Sequence, residues 1–397
     1  MALMDVRFRY SDHLVGLIED AAVAATRIAT APVSSLAAEA LRAKRDAGRL
    51  SARLDASPLD DATADAVDAG SWARPAEERW LDEAAGEGWL GEPAGRRLDE
   101  ALGGRVTGEP AGDAAAAQPT DGWAMALKLD GMPTQQVAAV EYANLLACYD
   151  AESELTDQLF EAPMTVLTTL HGLICRGLVA AEILGRPRRT IQAVHDGAQG
   201  RVIFNTPDPR VVPRLLDGLV DWLGATGPAG SAGLPTLVVA GVVHERLLEW
   251  QPFEAGNGRL ARAAARLVLR ARGLDPAAVA VPERTLAADP GGYHNEVAAT
   301  VHRRGDLGPW LEWHAEAVVA GLVMVARRLA ADPSPAPPSR AVQVARPMPS
   351  GATITLAEYV AATGLSRETA AADLRALVSA GMLRHDPHTR GLRFRRV

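Results

Sequence analysis

From Pro133 to Ala330 apolar residues recur at helical spacing in block after block, and the pattern breaks at one place. There, Thr190-Ile-Gln-Ala-Val and Arg201-Val-Ile-Phe-Asn flank the connection His195-Asp-Gly-Ala-Gln-Gly, two strand-like runs that predict a β-hairpin. The fold class that follows is mainly α, a helical core carrying one small hairpin. Helices are expected over 135–151, 164–184, 209–223, 234–248, 258–272, 293–303 and 307–330 within a core domain of residues 123–330. Residues 1–102 alternate apolar and charged positions at the same spacing and read as a helical N-terminal region. Between them, 103–122 shift to Gly, Ala, Pro, Asp and Thr without period and read as a linker or long loop. Residues 331–347 read as a Pro-rich spacer, because Asp-Pro-Ser-Pro-Ala-Pro-Pro cannot continue a helix, and 348–397 as a small C-terminal domain.

Composition removes several classes of function. The 397 residues are 48% hydrophobic and 23% charged, which is a globular profile. No apolar run approaches the roughly 18 residues a membrane helix needs, and the N-terminus lacks the pattern of a secretory signal, so a cytoplasmic location and no membrane partner are expected. Cys148 and Cys175 have neither metal-site nor disulfide spacing and read as core residues; no metal ligand set is expected. A net charge of −8 argues against nonspecific nucleic-acid binding over the whole surface, while leaving room for a local basic patch. All but two of the 41 basic residues, Lys44 and Lys128, are arginine, which reads as compositional bias.

The segment richest in chemistry is Gln251-Pro-Phe-Glu-Ala-Gly-Asn-Gly-Arg-Leu-Ala-Arg262, followed directly by an apolar helical run. Gly256, Asn257 and Gly258 at a helix start supply free N–H groups, the positive end of the helix dipole and little bulk, which suits a phosphate. Arg259 and Arg262 lie one turn apart and can reach the same anion. The same residues also fit a plain helix start with two solvent-facing arginines.

This segment resembles the signature of the Fic (Fido) family, His-Pro-Phe-x-Asp/Glu-Gly-Asn-Gly-Arg-x-x-Arg, through Pro252, Phe253, Gly256, Asn257, Gly258, Arg259 and Arg262 in order. His244 seven residues upstream, the hairpin within 186–209 and the 289–313 stretch with Tyr293 and Trp310 extend the resemblance over about 133–330. It implies a Fic/Fido helical core with a hairpin flap, and ATP as the nucleotide whose AMP is moved onto a hydroxyl of a target protein. It further implies that Asn257 and the glycine amides hold phosphates, that Arg262 pairs with the terminal phosphate while Arg259 supports loop and anion, and that the flap, 189–206, holds the target by strand addition.

Two positions depart from the signature. Gln251 stands where the family has its general-base His, and an amide has no basicity near neutral pH; such a base is commonly worth about 10²- to 10⁴-fold in rate. Ala255 stands where the family has the acid that ligates magnesium, and a methyl group cannot coordinate a hard cation. Glu254 is one residue early. The expectation is weak or lost adenylylation, the alternative being a catalytically inactive Fic-fold regulator.

The family also carries an inhibitory helix, Ser/Thr-x-x-x-Glu-Gly/Asn, whose Glu pairs with the second motif arginine. Ser51 and Asp55 in Arg49-Leu-Ser-Ala-Arg-Leu-Asp-Ala match its spacing, with Asp for Glu and Ala56 for the turn residue; Ser35 to Glu39 fits the bare spacing too, and a solvated amphipathic helix fits both. Residues 353–397 resemble a winged helix-turn-helix: a helix, the turn at Thr363-Gly364-Leu365, a Ser366-capped second helix and a wing. Arg367, Thr369 and Arg375 on that helix, with Arg384, Arg390, Arg393, Arg395 and Arg396 in the wing, suit phosphate contacts of a DNA-binding regulator. Glu368 and Asp373 on the same helix oppose such contacts and suit a protein-interaction module instead. The reading leaves room for a homodimer.

Overall fold

The computed structural model describes residues 4–74, 133–195, 202–228, 233–303, 305–331, 337–385 and 393–397. The loop expected over 103–122, part of the N-terminal region, the flap connection, residues 332–336 of the Pro-rich spacer and the wing tip with Arg390 lie outside these residues.

The N-terminal part comprises α1 (Asp12–Ala29), α2 (Val33–Leu54) and α3 (Asp61–Asp68). Ser11 and Asp60 cap α1 and α3 by accepting the N–H of Leu14 and Thr63. Leu14, Leu17, Ala21, Ala24 and Ile28 recur on one face of α1, and that face is buried. It packs on α11, introduced below.

The central bundle contains α4 (Thr134–Thr156), α5 (Pro163–Cys175), the hairpin β1 (Ala193–His195) and β2 (Val202–Asn205), then α6 (Val212–Thr226), α7 (Thr236–Trp250) and α8 (Asn257–Ala271). The short α9 (Glu283–Leu286), α10 (Pro290–His302) and α11 (Gly308–Ala331) close it. Helix α5 is shorter than its apolar run suggested. Arg176 leaves helical geometry and Gly177 takes φ +71°, so the chain turns there instead of continuing to 184. The core is one continuous cluster in which α7 and α8 form the most intimate pair: Val239, Val242, Val243 and Leu247 meet Leu260, Ala264, Leu267 and Val268, all buried. Strands β1 and β2 pair antiparallel, with Val194 opposite Phe204. Cys148 and Cys175 are free and buried.

The C-terminal unit runs α12 (Ser339–Ala345), β3 (Thr353–Thr355), α13 (Leu356–Thr363), α14 (Arg367–Ser379), β4 (Leu383–His385) and β5 (Arg393–Arg396), with the sheet ordered β3-β5-β4 and antiparallel throughout. A reciprocal capping box between Thr355 and Glu358 starts α13, and Ser366 caps α14. Residues 339–345, which the sequence reading places in the Pro-rich spacer, form α12. Ala341 and Ala345, one helical turn apart, are fully buried against Leu374, Leu377 and Phe394, so this helix belongs to the C-terminal core. Among the described residues no helix is long and apolar enough to cross a membrane.

Candidate functional site

The loop between α7 and α8 sets the geometry. Gln251 ends α7 in the left-handed conformation at φ +43°, and Gly256 opens α8 at φ +71°. A Cβ on Gly256 would lie 2.5 Å from Cys175 Sγ, so glycine is required there on both counts. Phe253 is fully buried and stacks on His171 of α5, ring centroids 4.1 Å apart. The Gly185 N–H donates to His171 Nδ1, which leaves Nε2 to donate to the Ala255 carbonyl. Burial pushes the His171 imidazole down to about 4, so it stays neutral.

Asn257 is placed differently from its implied role. Its Oδ1 accepts from the Phe253 N–H and its Nδ2 donates to the Phe253 carbonyl. The side chain shapes the loop, and the first-turn backbone N–H groups of α8 are the donors left at the helix start.

Arg259 and Arg262 do not face solvent; they are 5% and 2% exposed. The Ser51–Asp55 segment of α2 covers them. Arg262 Nε donates to Ser51 Oγ at 2.8 Å, and Nη2 donates to the Ser51 carbonyl at 2.8 Å and to Asp55 Oδ1 at 2.7 Å. Arg259 Nε lies 3.4 Å from Asp55 Oδ2, and its Nη1 lies 2.8 Å from Glu141 of α4. Two guanidiniums therefore face two carboxylates, one from the bundle and one from α2. Burial is the largest single influence on Arg262 and would lower its pKa; the charges and hydrogen bonds of Asp55 and Tyr293 together outweigh it, and the guanidinium is raised above its ordinary value. Arg262 Nη1 is buried without a hydrogen-bond partner. A Cβ on Gly258 would lie 2.5 Å from Asp55 Oδ1, so that glycine is what lets the carboxylate reach the helix start. Ala56, just after Asp55, takes φ +59°, where the family prefers Gly or Asn; the turn forms with alanine at a cost of about 1 kcal/mol.

The two departures from the signature are equally concrete. The Gln251 side chain turns back and donates from Nε2 to the Leu248 carbonyl, capping its own helix. Glu254 is taken up by the flap, accepting from the Arg189 N–H at 2.8 Å and from the Thr190 hydroxyl. Ala255 offers only its carbonyl, which His171 already holds. At position 255 a divalent cation finds no carboxylate, and among the described residues no group of three or more His, Cys, Asp or Glu side chains is placed to hold one. The other groups implied for a nucleotide do fit: a helix start, a close-approach glycine and a buried cation with an unfilled donor.

Residues 163–269, the span from α5 to α8, match the family described as Fic/DOC. This part of the chain is a Fic/DOC domain. Among solved structures, a Fic family protein from Desulfovibrio desulfuricans G20 is 19% identical and covers 99% of this chain and 98% of its own, with a TM-score of 0.54. A Fic domain containing signaling protein from Bacteroides thetaiotaomicron is 17% identical over 79% of this chain and 97% of its own, TM-score 0.46. At that identity the first likeness is one of fold. No curated protein matches the sequence.

Around the Fic/DOC domain stand residues that sequence reasoning passed over. Glu141 lies outside the matched span, and its one signal was a lone acid in the apolar run Val-Ala-Ala-Val-Glu-Tyr, a buried charge that needs a partner. Arg188 rivets the flap to the α7–α8 loop, donating to the carbonyls of Gln251, Thr190, Pro207 and Trp250 and to the Thr206 hydroxyl. Nothing distinguishes it from Arg186 and Arg189 in sequence. His244 packs inside, its Nε2 2.7 Å from the Tyr293 hydroxyl and its ring edge-on to Trp310; burial holds it well below the usual histidine range.

In the C-terminal unit Arg367 and Arg375 are exposed on α14, Arg384 and Arg393 on the strands, and Thr369 helps cap its helix through Ser366. Asp373, expected to oppose a DNA backbone, points inward: it is 2% exposed and accepts two bonds from Arg340 and one from Tyr359. Arg396 is also used internally, donating to the Met382 carbonyl.

Proposed function

We propose that the Fic/DOC domain binds the phosphates of a nucleotide such as ATP at the start of α8, that α2 occludes this cradle, and that the chain is a regulator with weak or no adenylylation. The observation that carries the reading is Asp55 on Arg262. A carboxylate occupies the guanidinium that the family's signature assigns to the terminal phosphate, so plug and nucleotide compete for one cation. With α2 withdrawn, two buried arginines would face Glu141 alone, an excess positive charge that an anion stabilises. Gly256, Gly258, Arg259 and Arg262 would hold the phosphates and Asn257 would keep the loop open to them. Low turnover follows from the Gln251 amide and from Ala255, and magnesium contributes nothing at Ala255. A target segment, if any is modified, would pair with the flap strands.

The test is calorimetric titration with ATP, with and without magnesium. Asp55→Ala should bind ATP about 10-fold or more tighter than the natural protein, in line with loss of a charged competitor. Arg262→Ala should not bind, and magnesium should leave the affinity unchanged. Equal affinity in the natural protein and Asp55→Ala ends the plug reading; binding that survives Arg262→Ala ends the cradle reading. Activity created by the paired change Gln251→His with Ala255→Asp would place the loss at those two positions.

A second reading, DNA binding by the C-terminal unit as a winged helix, is favoured by Asp373 facing inward. Arg367, Arg375, Arg384 and Arg393 are then opposed by Glu368 alone on the α14 surface. Binding to the protein's own upstream DNA should fall steeply with salt, and undetectable or salt-insensitive binding removes this reading.

A further inference from the structure

Helix α2 touches two places that have no other reason to communicate. Its last turn carries Ser51 and the cap residue Asp55, which cover Arg262. Its first residue, Val33, stands beside the C-terminal unit: α14 packs on α2, and a Cβ on Gly381 would lie 3.5 Å from Val33 Cβ, while Val33 keeps 69% of its surface exposed. Twenty-two helical residues span about 33 Å, so the helix is a straight rod between the C-terminal unit and the anion site.

Its seating on the bundle suits a part that moves as one body. The residues it buries are small, Ala43, Ala47, Gly48, Ser51 and Ala52, with Leu54 the one large apolar side chain fully buried. Small side chains remove little apolar area from water, at about 25 cal/mol per Å². Leu36, Ala40 and Leu50 pack on the core half-buried, Arg49 and Arg53 tie the helix to α3, the buried Glu39 pairs with Arg328 at 2.6 Å, and at the rim Lys44 pairs with Asp150 at 2.7 Å and Asp46 with Arg284 at 2.6 Å. Partly exposed pairs of this kind contribute little each. Internal hydrogen bonds keep the helix stiff, while the surface under it lets go in small steps.

We propose that α2 is a connecting rod through which the position of the C-terminal unit controls access to the anion site, docking of α14 on α2 favouring the covered state. The proposal rests on the plug reading above. Moving the C-terminal unit off α2 would lower the barrier to lifting Ser51 and Asp55, and a nucleotide bound at Arg262 would in return weaken the docking, because coupling between two sites is reciprocal.

The full-length chain carrying Val33→Cys and Gly381→Cys tests it. The separation suits a disulfide, whose Cβ atoms stand about 3.5–4.5 Å apart. The natural cysteines are buried, and mass spectrometry identifies which pair forms. Oxidation should weaken ATP binding about 5-fold or more relative to the reduced form of the same variant, the size expected of an allosteric coupling. In an Asp55→Ala background the same disulfide should change nothing. Because Gly381 has a positive φ and cysteine there strains the turn, Val33→Glu provides an independent measurement: it should tighten ATP binding about 5-fold at unchanged folding. If the disulfide forms and binding does not change while Asp55→Ala binds tighter, the coupling is absent and the plug stands. A disulfide that cannot form, with Val33→Glu binding as the natural protein does, also overturns the coupling. Should Asp55→Ala bind no tighter, the plug falls and this proposal falls with it.

Discussion

Helices α8 and α2 meet at one guanidinium, α8 supplying Arg262 and α2 supplying the groups that cover it, yet they are held by different means. From Leu260 to Leu269 every residue of α8 is buried, enclosed by α7, α4 and α5, and the loop before it is pinned by Phe253, His171, Asn257 and Arg188. Helix α2 lies on the bundle through alanines, a glycine, a serine, Leu54 and the buried Glu39, with ion pairs along its rim. The first arrangement fixes a cation in a buried place and tolerates no adjustment. The second permits removal of the counter-charge without unfolding the frame. A site meant to be opened needs both, a rigid cation and a carboxylate that can leave.

The sharpest way to break the comparison is to treat the rigid side as though it were the removable one. Phe253→Ala deletes a fully buried ring stacked on His171, and changes of this type cost about 3–5 kcal/mol. Thermal unfolding should move down by many degrees, and ATP binding should vanish because the loop that presents Gly256 and Gly258 loses its anchor. A Phe253→Ala protein that melts like the natural one would show that the α7–α8 loop is not what holds the site.

On the removable side, Gly48→Ala should act in the opposite sense. A Cβ at 48 would lie 2.8 Å from Tyr142 Cε2, and that ring cannot swing aside freely, since its hydroxyl donates to Asp68 Oδ1 at 2.8 Å. The helix must lift instead. We expect ATP binding to tighten several-fold and the melting temperature to change little, because Ala is the better helix former by about 1 kcal/mol and offsets part of the lost contact. Weaker ATP binding, or a large loss of stability, would mean that α2 is part of the frame.

The contrast between the two helices also explains what was legible in the sequence. The Gly-Asn-Gly-Arg-x-x-Arg run and its apolar continuation could be read because backbone geometry and burial dictate those residue types directly. Gly256 has a positive φ and no room for a Cβ, and the hairpin is marked by a change of period. Partners of the arginines were harder. Ser51 and Asp55 were found only through a resemblance, for their spacing also fits an ordinary solvated helix, and Glu141 lies over a hundred residues from Arg259 with no local pattern joining them. That the Asn257 amide bonds the Phe253 backbone was not legible, because residue type does not say whether an amide faces a ligand or its own loop. Helix α12 was missed because the prolines before it hid a stripe of two alanines. The approach of Gly381 to Val33 has no sequence signature at all, since it joins residues more than three hundred positions apart.

The smallest effect concerns charge rather than packing. Glu245 of α7 is fully buried with Arg246 Nη1 3.2 Å away, and Arg246 is shared with Glu249 at 2.5 Å. Burial is the larger influence and Arg246 only partly opposes it, so the Glu245 carboxyl is pushed up to about 8. An unfolded glutamate titrates near 4.3, so the folded chain holds this proton more tightly than the unfolded one does. Its contribution to stability is complete below about pH 4.3 and is lost as pH rises through about 8. The melting temperature of the natural protein should therefore fall between pH 5.5 and 8.5. Glu245→Gln copies the neutral carboxyl and should match the natural protein near pH 5.5 while flattening that fall. Glu152 on α4, pushed up to about 7 by burial despite Arg266, remains in the variant and should leave a residual slope at lower pH. Since Glu245 belongs to α7 and pairs with Arg246 of the same helix, Glu245→Gln should leave ATP affinity unaltered at every pH. An unchanged melting slope would remove Glu245 as its source, and an altered affinity would mean that the frame and the removable helix are not independent.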